Sequence, residues 1–70
     1  MKNFISETKM TVAEELVFKN RLLDESQDFH FTQDQYENRL YGRTKIKPSE
    51  LIVMKQILQE IRFNIENNII

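Results

Sequence analysis

The chain has 70 residues, of which 40% are apolar and 30% charged, and its formal net charge at neutral pH is −1. This length allows one domain, 1–70, and the share of apolar residues is too high for a disordered tail. The absence of cysteine excludes disulfide bonds and thiolate metal sites, and no apolar run reaches the roughly 18 residues that a membrane span needs. We therefore expect a small cytoplasmic domain.

Residues 1–10 carry no strong helix signal, and we expect them to form a flexible N-terminus. MKNFISETK also lacks the long apolar core and the cleavage site of a signal peptide. Further along, glycine and proline each occur once. Such scarcity of turn-forming residues, with many Glu, Gln, Lys and Leu, favours helices joined by short polar loops. We expect an all-α fold, a small bundle of three to four helices.

The first predicted helix begins at Thr11, because Thr11 and Glu14 have the spacing of a capping box. It is expected to fade near Asp24–Ser26, and the segment DESQDFHF has no clear period and indicates a loop or a short irregular turn. One face of this helix collects most of its apolar residues and predicts the packing surface: Val12, Ala13, Leu16, Val17, Asn20 and Leu23.

The second predicted helix has the best start signal in the chain. Thr32 and Gln35 form a capping box, and Phe31 before the cap can pack on Tyr36 as a hydrophobic staple. The helix should run to Tyr41, because Gly42 adopts the left-handed conformation that ends helices without a Cβ penalty.

The third predicted helix begins at Pro48, with Glu50 favouring its positive N-terminal dipole. Its apolar residues repeat with alternating spacings of three and four over two heptads, too few for a coiled coil. We expect this stripe, with the terminal isoleucines, to bind a second copy or another protein. The interface candidates are Leu51, Met54, Leu58, Ile61, Ile65, Ile69 and Ile70.

Basic charge concentrates between the second and third predicted helices. Residues 39–47 contain four basic side chains and no acidic one, whereas residues 1–30 carry four basic and six acidic side chains. This small basic patch lies on an otherwise neutral protein. Its members are Arg39, Arg43, Lys45 and Lys47.

The segment TQDQYENRLYGRTKIKP, residues 32–48, resembles the second half of the helix-turn-helix domains of phage repressors and Cro-like regulators. There a recognition helix begins with Thr or Ser and Gln, ends at a glycine, and is followed by a basic loop and a proline. The elements that match are Thr32, Gln33, Tyr36, Leu40, Gly42, Arg43, Thr44, Lys45 and Pro48.

The resemblance implies a homodimeric transcriptional regulator of phage or bacterial type that occupies a double-stranded DNA operator. It implies base contacts from the N-terminal part of the recognition helix, by Gln33, Asp34 and Asn38. It implies phosphate contacts by Thr32, Arg39, Arg43, Lys45 and Lys47. A complete motif also needs a preceding helix, so residues 24–31 would have to form a short helix packed crosswise on residues 32–41.

Enzymatic chemistry is not expected. His30 has no cysteine or second histidine with which to hold a metal, and a single glycine cannot build a phosphate-binding loop. We therefore expect no catalytic residue and no cofactor. The alternative to DNA binding is a small helical interaction module, an inhibitor or adaptor, that uses its apolar C-terminal helix.

Overall fold

The computed structural model describes residues 3–67, which form four helices and no strand. The prediction of a small all-α fold is therefore confirmed. Two pairs of helices make the main contacts, α2 with α4 and α1 with α3. Within the described residues no helix has the length and apolar character needed to cross a membrane. The helices are α1 (Phe4–Thr8), α2 (Val12–Leu22), α3 (Gln33–Leu40) and α4 (Pro48–Glu66).

Helix α1 was not expected from the sequence. Asn3 Oδ1 accepts the Ser6 N–H at 2.9 Å, and Ser6 Oγ accepts the Asn3 N–H at 3.0 Å, so the pair forms a reciprocal cap. Phe4 is buried and stacks on Phe18, with ring centroids 5.4 Å apart. Residues 4–8 therefore belong to the core-forming part of the fold.

Helix α2 begins at the predicted cap, since Thr11 Oγ1 accepts the Glu14 N–H at 3.1 Å. The predicted packing face, however, is wrong. Phe18 and Leu22 are fully buried, whereas Val12 and Leu16 remain 84% and 62% exposed. Phe18 and Leu22 lie one helical turn apart, and together they bury more apolar surface than Val12 and Leu16 would. Phe18 and Leu22 therefore determine which side of α2 faces the core. Of the predicted face, Ala13 and Asn20 are also exposed, and Val17 and Leu23 are half-buried.

The connector between α2 and α3 contains turns and bends but no helix. The Asp24 carboxylate accepts the N–H and the Oγ–H of Ser26, at 3.0 and 2.7 Å. The connector closes back on α2 where the Phe31 N–H donates to the Leu22 carbonyl at 2.7 Å. Residues 24–31 therefore do not supply the crosswise helix that would complete a helix-turn-helix.

Helix α3 begins at the predicted cap and ends at Leu40, one residue before the predicted Tyr41, which is its C-cap. Thr32 Oγ1 accepts the Gln35 N–H at 3.2 Å, and Phe31 and Tyr36 are both buried in the same core. After the helix, Gly42 adopts a φ of 81°, and the Arg43 N–H donates back to the Asn38 carbonyl at 2.8 Å. A Schellman motif contains two hydrogen bonds, and this is the one that spans more residues of the chain. The motif reverses the chain after α3.

Helix α4 begins at Pro48, and its heptad stripe forms the centre of the core. The Glu50 carboxylate accepts the Lys47 N–H at 3.0 Å and so caps its first turn. The assignment of the stripe to an interface needs correction, because most of it is covered by the protein's own helices. Met54, Leu58 and Ile61 are buried, Leu51 is half-buried and Ile65 is 38% exposed. Ile69 and Ile70 lie outside the described residues.

Candidate interaction surfaces

The predicted base-reading residues do not form one surface. Buried Tyr36 and Leu40 hold α3 against the core and leave Gln33 and Asp34 exposed. Asn38 is half-buried and lies one turn after Asp34, but about 140° around the helix from Gln33 at 3.6 residues per turn. The Gln33 amide also donates to the Glu37 carboxylate, from Nε2 to Oε1 at 3.1 Å.

Arg39 is a structural residue and not an exposed phosphate ligand. Its Nε lies 3.0 Å from Glu50 Oε1, and the two side chains are only 14% and 15% exposed. Its guanidinium carbon lies 5.1 Å from the centroid of the Phe31 ring. The ion pair joins α3 to the first turn of α4, so the assignment of Arg39 to phosphate contact is wrong.

The other three basic residues of the patch, Arg43, Lys45 and Lys47, are exposed on the α3–α4 connector together with Thr44. In the described part of the chain the ion pairs are Arg39–Glu50 and Arg62–Glu14, so none of these three has a carboxylate partner there. Arg43 Nη1 reaches Asn38 Oδ1 at 3.5 Å. Thr32, also expected to contact phosphate, is exposed while its hydroxyl caps α3.

Arg62 joins three helices, a role that the sequence analysis did not identify. Its Nη2 donates to the Thr8 carbonyl at 2.6 Å, and its Nε donates to Glu14 Oε2 at 3.1 Å. Glu14 also accepts the Thr11 N–H, at 2.9 Å. That backbone hydrogen bond lowers the pKa of Glu14; burial opposes the shift, and Arg62 adds to it.

Two exposed apolar side chains of α2 lie on the same helix as Glu15, which a hydrogen bond joins to the exposed Tyr41. We call Val12, Leu16, Tyr41 and Arg43 the α2–Tyr41 patch. Tyr41 is 46% exposed, and its hydroxyl donates to Glu15 Oε1 at 3.3 Å, which holds the ring beside α2. Glu15 follows Val12 by three positions and is therefore its neighbour on the helix surface. The Arg43 guanidinium carbon lies 6.0 Å from the centroid of the Tyr41 ring.

A second outward surface lies on α4, on the side away from the core. We call Ile52, Gln56, Gln59 and Phe63 the α4 outer stripe. Their spacings of four, three and four residues place them along one side of the helix. Ile52 and Phe63 are each 60% exposed, and the two glutamines between them are exposed as well.

A cleft of about 400 Å³ lies between α1 and the α3–α4 connector. Phe4, Ile46 and Leu51 contribute its apolar wall, and Glu7 and Lys45 contribute charged groups. Among the described residues, the buried side-chain polar atom without a hydrogen-bond partner is the Tyr36 hydroxyl, which does not line this cleft. Arg39 also lines the cleft, and its Nε is paired with Glu50.

His30 is exposed, and its Nδ1 lies 2.9 Å from the Gln27 carbonyl oxygen. Between residues 3 and 67, no three His, Asp or Glu side chains are grouped so that they could hold a metal ion. Comparison of the chain with protein-family models, curated proteins and solved structures finds no match. The interpretation of function therefore depends on the surfaces described above.

Proposed function

We propose that the chain is a small helical interaction module whose α2–Tyr41 patch binds an amphipathic helix of another protein. The observation that carries the proposal is the exposure of Val12 and Leu16, 84% and 62%, on a helix that already buries Phe18 and Leu22 on another side. A helix on the surface of an isolated domain normally keeps its apolar residues on one side. Apolar residues on a second side of α2 are accounted for by a partner that covers them.

The patch indicates the chemistry of that partner. Val12 and Leu16 are one helical turn apart, so they fit between apolar side chains spaced at i and i+4 on the partner helix. Arg43 has no carboxylate partner among the described residues, and it would pair with an Asp or Glu on the partner. Tyrosine and arginine are also enriched at the centres of protein interfaces, which fits the pairing of Tyr41 with Arg43.

In this proposal the module acts as an adaptor or inhibitor in the cytoplasm, because binding covers a helix that its partner could otherwise use. A domain this small buries only a limited apolar surface when it folds, and the partner would supply further apolar contact. The proposal retains the interaction module expected as an alternative from the sequence. It moves the binding surface to α2, because the described part of the apolar stripe of α4 is mostly buried.

Helical peptides selected from a displayed library against the whole chain test the proposal. We expect the selected peptides to carry apolar residues at i and i+4 with an acidic residue nearby. Their affinity should fall by at least about tenfold on Leu16→Lys, because the lysine charge would have to be desolvated against apolar groups. Arg43→Gln should weaken the acidic peptides and leave peptides without the carboxylate unchanged.

Phe63→Lys is the matched control, because it changes an equally exposed apolar residue on another helix. It should leave peptide affinity unchanged. The proposal is wrong if no helical peptide is selected by a folded sample, or if Leu16→Lys and Phe63→Lys weaken binding equally. Far-UV circular dichroism of each variant separates lost binding from lost folding.

A second candidate function, binding of double-stranded DNA as a small transcriptional regulator, is favoured by the exposed α3–α4 connector. Arg43, Lys45 and Lys47 have no carboxylate partner in the described residues and lie directly after α3. Asp34 and Glu37 on α3 oppose this function, because their carboxylates would repel phosphates. Because no crosswise helix precedes α3, phosphate contacts would contribute more to the affinity for DNA than base contacts would.

Fluorescence polarisation on mixed duplex DNA tests this candidate. Three phosphate contacts predict a slope of log affinity against log salt of about −2.7, and Arg43→Ala with Lys45→Ala should reduce its magnitude to about 0.9. Arg39→Met should leave the slope unchanged, because Arg39 is paired with Glu50. If Gln33 reads a base, Gln33→Ala should relax sequence preference more than it lowers overall affinity. Absence of binding at low salt by a folded sample would exclude this function.

A further inference from the structure

We propose that the cleft between α1 and the α3–α4 connector binds a small monocarboxylic acid with an apolar body, and that Arg39 holds its carboxylate. The site goes beyond the proposed function, because no residue of the α2–Tyr41 patch lines the cleft. The volume of the cleft, about 400 Å³, lies within the range of about 300–1,000 Å³ that is common for small-molecule sites.

Arg39 carries hydrogen-bond donors that the described part of the protein does not use. A guanidinium group has five N–H donors, and the one on Nε donates to Glu50 Oε1 at 3.0 Å. Among the described residues Nη1 and Nη2 donate no hydrogen bond, although the Arg39 side chain is only 14% exposed. Neither nitrogen is fully buried, and Arg39 lines the cleft. A carboxylate is the group that accepts two hydrogen bonds from one guanidinium in a fixed geometry.

The charges around the cleft favour a ligand with a single negative charge. Besides Arg39, the charged residues that line it are Lys45 and Glu7. Glu50 offsets the charge of Arg39, whereas Lys45 has no carboxylate partner within residues 3–67 and would attract the ligand. Glu7 is exposed on α1 and would repel a second negative charge. The cleft therefore favours a monocarboxylate over a dicarboxylate or a phosphate ester.

The apolar wall of the cleft indicates the body of the ligand. Phe4 is buried, whereas Ile46 and Leu51 are half-buried and leave part of their apolar surface open to the cleft. An aliphatic chain attached to the carboxylate would cover this surface. Each methylene group that becomes buried should strengthen binding by up to about fourfold.

Titration of the full chain with hexanoate, followed by the backbone amide signals in NMR spectra, tests the proposal. We expect saturable shifts in two segments far apart in sequence, 3–7 and 42–46, with a dissociation constant of about 0.1–1 mM. Hexanamide lacks the charge and acetate lacks the apolar body, so each should bind at least about tenfold more weakly. Hexanedioate should also bind more weakly than hexanoate, and Glu7→Gln should reduce that difference.

Two substitutions test the residues assigned to the carboxylate. Lys45→Gln should weaken hexanoate binding about threefold to fivefold. Lys47→Gln is the matched control, because Lys47 is exposed on the same connector and does not line the cleft. It should leave the affinity unchanged. Arg39→Lys keeps a positive charge beside Glu50 but removes the guanidinium donors, so it should weaken binding at least about tenfold.

Circular dichroism of the Arg39→Lys variant shows whether it is folded, and the Lys45→Gln comparison tests the site even if it is not. The proposal is wrong if no shift saturates up to about 10 mM hexanoate, or if hexanamide binds as tightly as hexanoate. Equal losses of affinity in Lys45→Gln and Lys47→Gln would also overturn it, because they would indicate general attraction of anions to the connector. A folded Arg39→Lys variant with unchanged affinity would exclude Arg39 as the carboxylate ligand.

Discussion

Arg39 and Glu50 form a largely shielded ion pair, with 3.0 Å between Arg39 Nε and Glu50 Oε1, that links α3 to the first turn of α4. The same glutamate accepts the Lys47 N–H, and the same arginine packs over Phe31. One pair therefore caps α4, positions α3 and covers an aromatic core residue. A basic residue that the sequence placed among the candidates for phosphate contact thus contributes to stability.

A double-mutant cycle on Arg39→Met and Glu50→Gln should measure this contribution. Methionine keeps much of the packing over Phe31, and glutamine keeps an acceptor for the Lys47 N–H. Each single variant should be less stable by about 1–2 kcal/mol, with a coupling energy of about 1 kcal/mol, because removing one partner leaves the other charge partly buried and unpaired. Urea unfolding followed by circular dichroism gives both quantities. Additive effects of the two substitutions would show that the pair is not energetically coupled.

Stability should fall as the solution becomes acidic. The pKa of Glu50 lies below its usual value of 4.5. Burial raises this pKa, but the hydrogen bond from the Lys47 N–H and the charge of Arg39 together lower it by more than burial raises it. The pKa of Glu14 is lowered as well. Both carboxyls therefore bind protons less readily in the folded chain than in the unfolded chain, and their stabilisation is present above pH 4.5 and is lost as the pH falls through their folded pKa values.

Glu14→Gln combined with Glu50→Gln tests this dependence on pH. The double variant should be less stable at neutral pH and should lose less stability than wild type between about pH 5 and pH 3, because two of the linked carboxyls are gone. Chemical unfolding at a series of pH values measures both effects. Equal acid sensitivity in the two proteins would mean that other carboxyl groups dominate.

Tyr36→Phe should leave the protein as stable as wild type or make it more stable by up to about 1 kcal/mol. The Tyr36 side chain is 2% exposed, and its hydroxyl has no hydrogen-bond partner among residues 3–67. Removing the hydroxyl removes a desolvated polar group and keeps the ring in the core. Tyr36→Ala should instead cost about 3–5 kcal/mol, because it creates a cavity. Thermal unfolding of both variants checks the contrast, and a clearly destabilised Tyr36→Phe would contradict the lack of a partner.

Gly42→Ala should destabilise the protein by about 1–2 kcal/mol, because its φ of 81° is unfavourable for a residue with a Cβ. An added Cβ would lie 3.5 Å from the Asn3 Cβ, which is an ordinary contact, so the cost comes from the backbone. Gly42→Asn should cost less, since asparagine tolerates the left-handed region better. Equal losses from alanine and asparagine would point to steric exclusion instead.

The helix starts from Thr11 onward could be predicted because their signals are local, whereas α2 ends at Leu22, before the expected Asp24–Ser26. A capping box needs side chains only three residues apart, and both the Thr11 and Thr32 caps form as expected. Asn3 and Ser6 also form a capping box, but these residue types are less distinctive of one. This capping box precedes a helix of only five residues. The short apolar pattern there gave too little support for a prediction.

The orientation of α2 could not be predicted from its own residues. Its sequence offers two apolar sets, and the choice between them depends on Phe4, which stacks on Phe18 from outside the helix. The heptad stripe of α4 presents a related difficulty. Its pattern identifies a packing surface, but it does not show whether the protein's own helices or another chain cover that surface. Arg39 likewise depends on a glutamate in another helix. Each missed feature requires knowledge of which elements meet.

The bond from Arg62 to the Thr8 carbonyl joins residues 54 positions apart, and it has a consequence for synthesis on the ribosome. The last carbonyls of a helix need partners, and for α1 this one comes from α4. Because the ribosome adds residues from the N-terminus onward, α1 cannot gain this partner until almost all of α4 has been made. Helix α1 is synthesised before α4 and gains this bond only after it, so the described helices should acquire their native packing only once α4 has left the ribosome exit tunnel.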